Sequence, residues 1–259
     1  MNQFMLQMHT SPNMVIASRR VDPPRRFPWC DPPGVLTLTH DDVHVWRVGL
    51  AVHEDVVRQL EHSLAADEQL RADRFEFAQD RRRFLVRRGV LRAVLGWYLR
   101  TRPERLRFEC NRYGKPSLAD QTSVRPIRFN LAHSADLAVI AVTRGREVGV
   151  DVERLDTQFD SLKIAERFFS PREAAALRRR SPSGQTRAFF HCWTRKEAYL
   201  KARGVGVTWS LDRFEVSVSP GHAALLNVCD DPAELSRWSV QDLDPEPGYA
   251  GALVVESHT

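Results

Sequence analysis

The sequence predicts a mixed α/β chain whose two halves repeat one order, helices first and strands after, dividing near Gly145. Three observations predict it. Apolar residues recur at helical spacing over 54–102 and again over 170–203. Shorter β-type runs follow each helical region. Glycine and proline punctuation separates the runs.

Taken in order, residues 1–34 form an extension. Its VDPPRRFPWCDPPG stretch cannot continue a helix or a central strand, so an extended, surface-hugging segment is expected. VLTLTHDDVHVWRVGL gives β-type runs, with Val43, Val45 and Val48 near an alternating pattern. VVRQLEHSLAADEQLRADRFEF reads as one or two helices. DRRRFLVRRGVLRAVLGWYLR is a further helix, with Phe84, Val90, Leu91, Val94, Leu95 and Tyr98 at helical spacing and Pro103 marking its end. Its other face carries Arg81, Arg82, Arg83, Arg87, Arg88 and Arg92.

FECNRYGKPSL is a turn-rich strand–loop unit around Gly114 and Pro116. RPIRFNLAHS leads into the apolar strand DLAVIAVT, and the turn RGRE joins that strand to VGVDVERLD as a β-hairpin. In FFSPREAAALRRR, Ser170 is the N-cap, Pro171 takes the first helical position and Glu173 completes a capping box. SPSGQ at 181–185 reads as a loop. TRAFFHCWTRKEAYLKARG is a long helix with Gly204 suited to its C-terminal cap. SLDRFEVSVS, LLNVC, WSVQDLD and GALVVES read as short strands.

With 259 residues, 42% of them hydrophobic, the chain can bury a sizeable core. The net charge of +5 favours anionic partners: nucleic acid, phosphorylated small molecules or an acidic protein. The four cysteines, Cys30, Cys110, Cys192 and Cys229, form no C-x-x-C pair, so neither a zinc site nor a disulfide framework is expected. No apolar run is long enough for a membrane helix, and the N-terminus lacks the build of a secretory signal. A cytoplasmic protein with reduced thiols is expected.

The chemistry begins at VGVDVERLD. On a strand, Val148, Val150 and Val152 share one face, and Gly149, Asp151 and Glu153 share the other. Two carboxylates so close repel unless a cation lies between them or water screens them. A divalent metal such as Mg²⁺ resolves the conflict; an edge strand with its polar face in water is the alternative. In WTRKEAYLKARG, Glu197 and Lys201 lie four apart on one helical face, a simple exposed pair or a carboxylate beside a cation. His133 sits in FNLAHS between two strands, in a polar loop with Asn130 and Ser134. Lys115 sits in the turn of YGKP.

Together these segments, F-N-L-x-H-S, G-V-D-V-E, F-F-S-x-x-E and W-x-x-K-E-A-x-x-K-A-x-G-x-G, resemble the Sfp-like 4′-phosphopantetheinyl transferases over roughly residues 70 to 215. YGKP and the R-x-x-L-G pattern from Arg92 to Gly96 strengthen the resemblance. It implies two similar, pseudo-twofold-related subdomains, each a small antiparallel sheet with a long helix, and an active site at their interface. Residues 35–145 would bind coenzyme A phosphates, and residues 146–259 would carry metal and catalysis. The implied reaction moves the phosphopantetheine arm of coenzyme A to a serine of a carrier protein and releases 3′,5′-ADP.

By this resemblance Asp151, Glu153 and Glu197 are the carboxylates of a Mg²⁺ site, with Mn²⁺ an alternative metal. Glu197 is the candidate base and Lys201 the group on the departing phosphate. Lys196 would touch phosphate or hold the helix. His133 and Lys115 match phosphate-contacting positions, and Arg71 and Arg74 match a basic pair near the 3′-phosphate and adenine, where Arg88 and Arg92 align less securely. Two residues depart from the family pattern. Ala132 stands where serine is usual, removing a hydroxyl contact of about 0.5–1.5 kcal/mol, and Ala135 stands where glycine is common.

The implied partners are acidic acyl or peptidyl carrier proteins, met by a monomer, with no membrane or nucleic acid involved. The rival readings are another metal-dependent phosphotransferase or nucleotide hydrolase, and a non-catalytic nucleic-acid binder. The latter lacks a recognisable nucleic-acid motif, and its basic residues are not interleaved with exposed aromatics.

Overall fold

A computed structural model describes residues 16–20, 36–119, 121–158, 160–206, 209–229 and 231–258. The first half runs β2 (Val43–Gly49), α1 (Glu54–Glu61), α2 (Ala66–Ala72), α3 (Ala78–Leu99), β3 (Phe108–Cys110), β4 (Pro116–Leu118), β5 (Ile127–Ser134) and β6 (Leu137–Arg144). It is preceded by β1 (Ile16–Arg20), which pairs antiparallel with β2. The rest of the proline-rich extension lies outside the described residues. The second half runs β7 (Val148–Arg154), α4 (Ser161–Phe168), α5 (Pro171–Arg178), α6 (Pro182–Arg203), β8 (Phe214–Val216), β9 (Leu225–Val228), α7 (Glu234–Arg237), β10 (Trp238–Leu243) and β11 (Tyr249–Glu256).

The repeat extends to topology. One sheet has the order β1-β2-β6-β5 and the other β10-β11-β7. In each half the first strand pairs antiparallel with the last, and the last with the one before it. Each half also has a two-stranded hairpin, β3–β4 or β8–β9. The long helices α3 and α6 both have 22 residues, and both stop at a left-handed residue, Arg100 at φ 50° and Gly204 at φ 65°.

Strand alternation sorts the core into three parts. Val43 and Val45, Val139 and Ala141, Val148, Val150 and Val152, and Leu253 and Val255 form one apolar layer between the two sheets. Trp46, Val48, Ile140 and Val142 face the other way, onto the helices of the first half. Ala252 and Val254 face α6 and the helices of the second half. Val48 thus belongs to a different core from Val43 and Val45.

Two sequence expectations fail. β6 and β7 do not form a hairpin: β6 pairs with β2 and β5, and β7 with β11. The RGRE turn carries the chain from one sheet to the other, while the true hairpin is β5–β6. SPSGQ is not a loop; Ser181 occupies the N-cap and Pro182 the first turn of α6. The capping box of α5 forms as expected: Ser170 Oγ accepts from the Glu173 amide at 3.2 Å, and Glu173 Oε2 accepts from the Ser170 amide at 2.9 Å. Cys110, Cys192 and Cys229 are free thiols. No helix among the described residues is long and apolar enough to cross a membrane.

β7 and α6 touch through their backbones at Gly149. A Cβ there would lie 2.1 Å from the Ala198 carbonyl oxygen and 2.3 Å from the Ala202 amide nitrogen. Neither can yield without moving the helix. Gly149→Ala is expected to destabilise the protein by about 3 kcal/mol, the upper end of ordinary overpacking. Gly184→Ala, whose nearest neighbour is the Ser181 hydroxyl at 3.3 Å, is expected to be tolerated. Urea unfolding of both variants checks the contrast.

Candidate active site

Past Gly149, the same face of β7 presents Asp151 and Glu153 to α6. Asp151 is only 4% exposed. Its Oδ1 accepts a hydrogen bond from Lys201 Nζ at 2.6 Å, and its Oδ2 is buried with no hydrogen-bond partner. Glu153 Oε2 accepts from Ser134 Oγ at 2.6 Å. Glu197 stands on α6 one turn before Lys201.

All three carboxyls are held above the ordinary range, with burial the largest cause in each. Asp151 repels both Glu153 and Glu197, and Lys201 opposes the rise at all three. Three acids and one ammonium therefore stand together as an acidic wall where β7 meets α6. Among the described residues, the group of three whose ligand atoms all lie within 4.8 Å of one another is the exposed set His40, Asp41 and His258. The Asp151, Glu153 and Glu197 carboxyls face one another more loosely. Their chemistry still fits a hard divalent cation: every donor is an oxygen, and Asp151 Oδ2 has no other partner.

The first half reaches this wall along β5. Asn130 Oδ1 accepts from the Val150 amide at 2.9 Å, and Ser134 Oγ accepts from the Arg154 amide at 3.1 Å. Both bonds repeat at a spacing of four residues and stitch the edge of β5 to the edge of β7. His133 lies at the end of β5, in the strand and not in the expected loop. Its Nε2 accepts from Arg87 Nη1 at 2.6 Å, leaving the proton on Nδ1. Burial, Arg87, Lys201 and Arg83 push its pKa down to about 4, so the ring is neutral.

The basic face of α3 is largely neutralised within its own half. Arg81 pairs with Glu61 and Asp73, Arg82 with Glu54, and Arg83 with Asp80 and Asp136. Arg88 and the fully buried Arg92 share Glu68. The expected alignment of Arg88 and Arg92 with phosphate is thus corrected, because both are engaged in a buried structural network. Arg71 is exposed and leans on the Phe84 ring at 5.5 Å, and Arg74 is exposed.

Residues 147–254 match the model of the 4′-phosphopantetheinyl transferase superfamily, and residues 52–145 match that of the 4′-phosphopantetheinyl transferase N-terminal region. The Nostoc protein 4′-phosphopantetheinyl transferase HetI is 40% identical over 88% of this chain and 93% of its own length. The Bacillus subtilis 4′-phosphopantetheinyl transferase Sfp is 28% identical over 73% of this chain and 81% of its own. The chain belongs to the 4′-phosphopantetheinyl transferase superfamily. A solved holo-[acyl-carrier-protein] synthase from Thermotoga maritima is 27% identical over 44% of this chain and 64% of that one, with a TM-score of 0.34.

Two residues expected to bind cofactor stand away from the acidic wall, and Lys196 takes the other role expected of it, holding the helix. Lys196 does not reach the acidic wall. It is fully buried on the opposite side of α6, where Nζ donates to the Leu211 and Phe214 carbonyls at 2.7 and 2.6 Å and pairs with Glu173 at 2.8 Å. Glu173 also accepts from the Val216 amide at 2.8 Å, so this pair pins the β8 strand and α5 to α6. Lys115 turns its ammonium to Glu147 at 2.7 Å and to the Ala202 carbonyl at 2.9 Å. The charges acting on it are Glu147, Arg128 and Glu256, none of the acidic wall.

Sequence reasoning missed Ser134 as the group that orients Glu153, and Arg87 as the partner of His133. Ser134 was within reach of the F-N-L-x-H-S motif; nothing in the spacing of six arginines marks Arg87.

Removing the Lys196 cation leaves Glu173 buried and unpaired. Lys196→Met is expected to destabilise the transferase by about 3–5 kcal/mol, and adding Glu173→Gln is expected to recover part of that loss. Urea unfolding checks the stability, and coenzyme A affinity of the folded Lys196→Met protein is expected to match the parent within twofold.

Proposed function

We propose that this transferase moves the phosphopantetheine arm of coenzyme A to a serine hydroxyl of an apo carrier protein and releases 3′,5′-ADP. Asp151, Glu153 and Glu197 would hold the divalent cation, Mg²⁺ or Mn²⁺. The observation that supports this reading is the set of three carboxyls beside one ammonium: burial raises all three, Asp151 raises the other two further, and Lys201 opposes each rise. With the acids ionised, the set carries two negative charges in excess, which one divalent ion balances.

When bound, such an ion neutralises charge that builds on the pyrophosphate as the arm leaves. The other roles belong to the chain. Glu197 accepts the proton of the attacking serine hydroxyl. Lys201, about a third exposed, turns from Asp151 to stabilise the departing phosphate. His133, neutral, offers its Nδ1–H to a phosphate oxygen. Residues 35–145 supply phosphate contacts and residues 146–259 the acids and the base, so both halves of the site lie on one chain and a monomer suffices for the reaction. The net charge of +5 suits an acidic carrier surface, chiefly by raising the encounter rate.

The test is intact mass of a panel of apo carriers incubated with coenzyme A and Mg²⁺. The arm's mass is expected on the carrier serine, lost with chelator and restored by Mg²⁺. Cleavage of coenzyme A with no carrier loaded would favour the hydrolase reading. Glu197→Gln is expected to slow transfer by about 10²–10⁴-fold. The same variant has a second readout. A carboxyl whose folded pKa is raised contributes stability only while protonated, and loses it as pH rises through that pKa. In chelator at neutral pH, Glu197→Gln is therefore expected to melt higher than the parent. Differential scanning calorimetry checks this, and the gain should shrink as the pH falls towards 4.

A further inference from the structure

A second group of metal-ligating side chains gathers beside the end of β7 opposite Glu153. His40 and Asp41 stand just before β2, and His258 stands just past the end of β11. His40 Nε2 lies 3.0 Å from Asp41 Oδ1, and His258 Nε2 lies 3.4 Å from the same oxygen. One ligand atom from each of the three falls within 4.8 Å of the others. The two imidazoles meet nearly edge to face, with 5.5 Å between their centres and 79° between their planes.

One guanidinium fixes both segments that carry them. Arg146, in the turn before β7, donates through Nε to the His40 carbonyl at 2.9 Å and through Nη2 to the Asp41 and Asp42 carbonyls at 2.8 and 3.2 Å. Its Nη1 donates to the Glu256 carbonyl at 3.2 Å. Arg146 thus grips main-chain oxygens on both sides, and the Asp41 carboxylate faces the two imidazoles. The Thr39 amide and hydroxyl each donate to Asp42 Oδ2 at 2.8 Å, closing the loop before β2. On the other side the Glu256 amide donates to the Glu147 carbonyl at 2.9 Å and the Ser257 amide to the Arg237 carbonyl at 2.7 Å. The chain is therefore held up to the residue before His258.

In a tetrahedral site with metal–ligand distances of about 2.0–2.1 Å, neighbouring ligand atoms lie about 3.3 Å apart. The two separations from Asp41 Oδ1, 3.0 and 3.4 Å, bracket that edge. Two imidazole nitrogens and one carboxylate oxygen suit Zn²⁺, whereas Mg²⁺ takes oxygen donors. We propose that His40, Asp41 and His258 form a Zn²⁺ site, with water in the fourth position, and that the ion clasps the loop before β2 to the end of β11. The exposure of all three side chains makes the ion exchangeable with solvent. Because one ligand segment comes from each half, the clasp joins the halves at the end of the seam away from the acidic wall. The proposal does not rest on the coenzyme A reading, whose carboxylates form a separate, all-oxygen set.

Calorimetric titration of Zn²⁺ into the untagged full chain, in excess Mg²⁺ to compete at the acidic wall, tests it. The parent is expected to take up Zn²⁺, and His40→Ala and His258→Ala are each expected to weaken that uptake by more than about tenfold. Asp151→Asn is expected to leave it unchanged within twofold. Because Zn²⁺ would bind the folded chain at two segments far apart in sequence, it is expected to raise the melting temperature of the parent. The two histidine variants are expected to melt in Zn²⁺ as they do in chelator. A parent that takes up no Zn²⁺ overturns the proposal. So does uptake that survives His258→Ala undiminished, and uptake lost in Asp151→Asn alone assigns the ion to the acidic wall. Should a histidine variant fail to fold, Asp41→Asn, which keeps the shape of the side chain, decides: unchanged Zn²⁺ affinity overturns the site. Carrier loading by the parent is read separately, so the transferase reading and the Zn²⁺ site fail independently.

Discussion

The contact between the backbones of β7 and α6 at Gly149 governs the chemistry of this protein. A strand and a helix ordinarily keep a side chain's width between them, and here that width is removed. Two residues farther along the strand, Asp151 faces the helix with no room to swing away, and Glu153 follows. Their repulsion with Glu197 cannot relax by a change of rotamer that brings them to water, because Asp151 is buried. The cation that relieves all three is Lys201, on the same helical stripe as Glu197. A glycine with no chemistry of its own thus decides that three acids meet.

The two halves share a topology but not a charge pattern, and the site arises from that difference. α3 and α6 are equivalent in length, in position and in their left-handed ends. One carries arginines mostly closed onto acids of its own half, and the other carries Glu197 and Lys201 towards the seam. The seam itself is made by side chains. Asn130 and Ser134 each accept a main-chain N–H of β7, where a ladder of backbone bonds would otherwise run. Because Ser134 also donates to Glu153, the joint between the halves and the orientation of one acid depend on the same hydroxyl.

The parts of this arrangement that were legible in the sequence are those governed by local periodicity. The alternation of VGVDVE placed valines inward and acids together, the S-P-x-E box marked α5, and Gly204 marked the end of α6. The parts that were not legible depend on partners far along the chain. A strand–turn–strand signal at RGRE is the same whether the strands pair with each other or with others, so the hairpin was misread. Ser-Pro at 181–182 has the composition of a loop and the geometry of a helix start. Lys196 and Lys201 differ by five positions, and only the packing of Glu173 and the Phe214 carbonyl against one side of α6 reveals which lysine is structural. The arginines of α3 look alike in sequence, since most of the acids that claim them lie elsewhere in the chain, in Arg92's case 24 positions away.

Charge around the site follows one rule with one exception. Among the described residues, the most deeply buried cations are matched: Arg92 with Glu68, Arg195 with Asp242, and Lys196 with Glu173. The exception is a set of like charges held together, the acids of β7 and α6. It lowers the stability of the folded chain, since burial opposes the ionisation of all three and Asp151 opposes that of the other two. A fold that matches its other buried charges retains such a set where an outside partner supplies the missing sign. For three acids beside a single ammonium, the missing sign is positive.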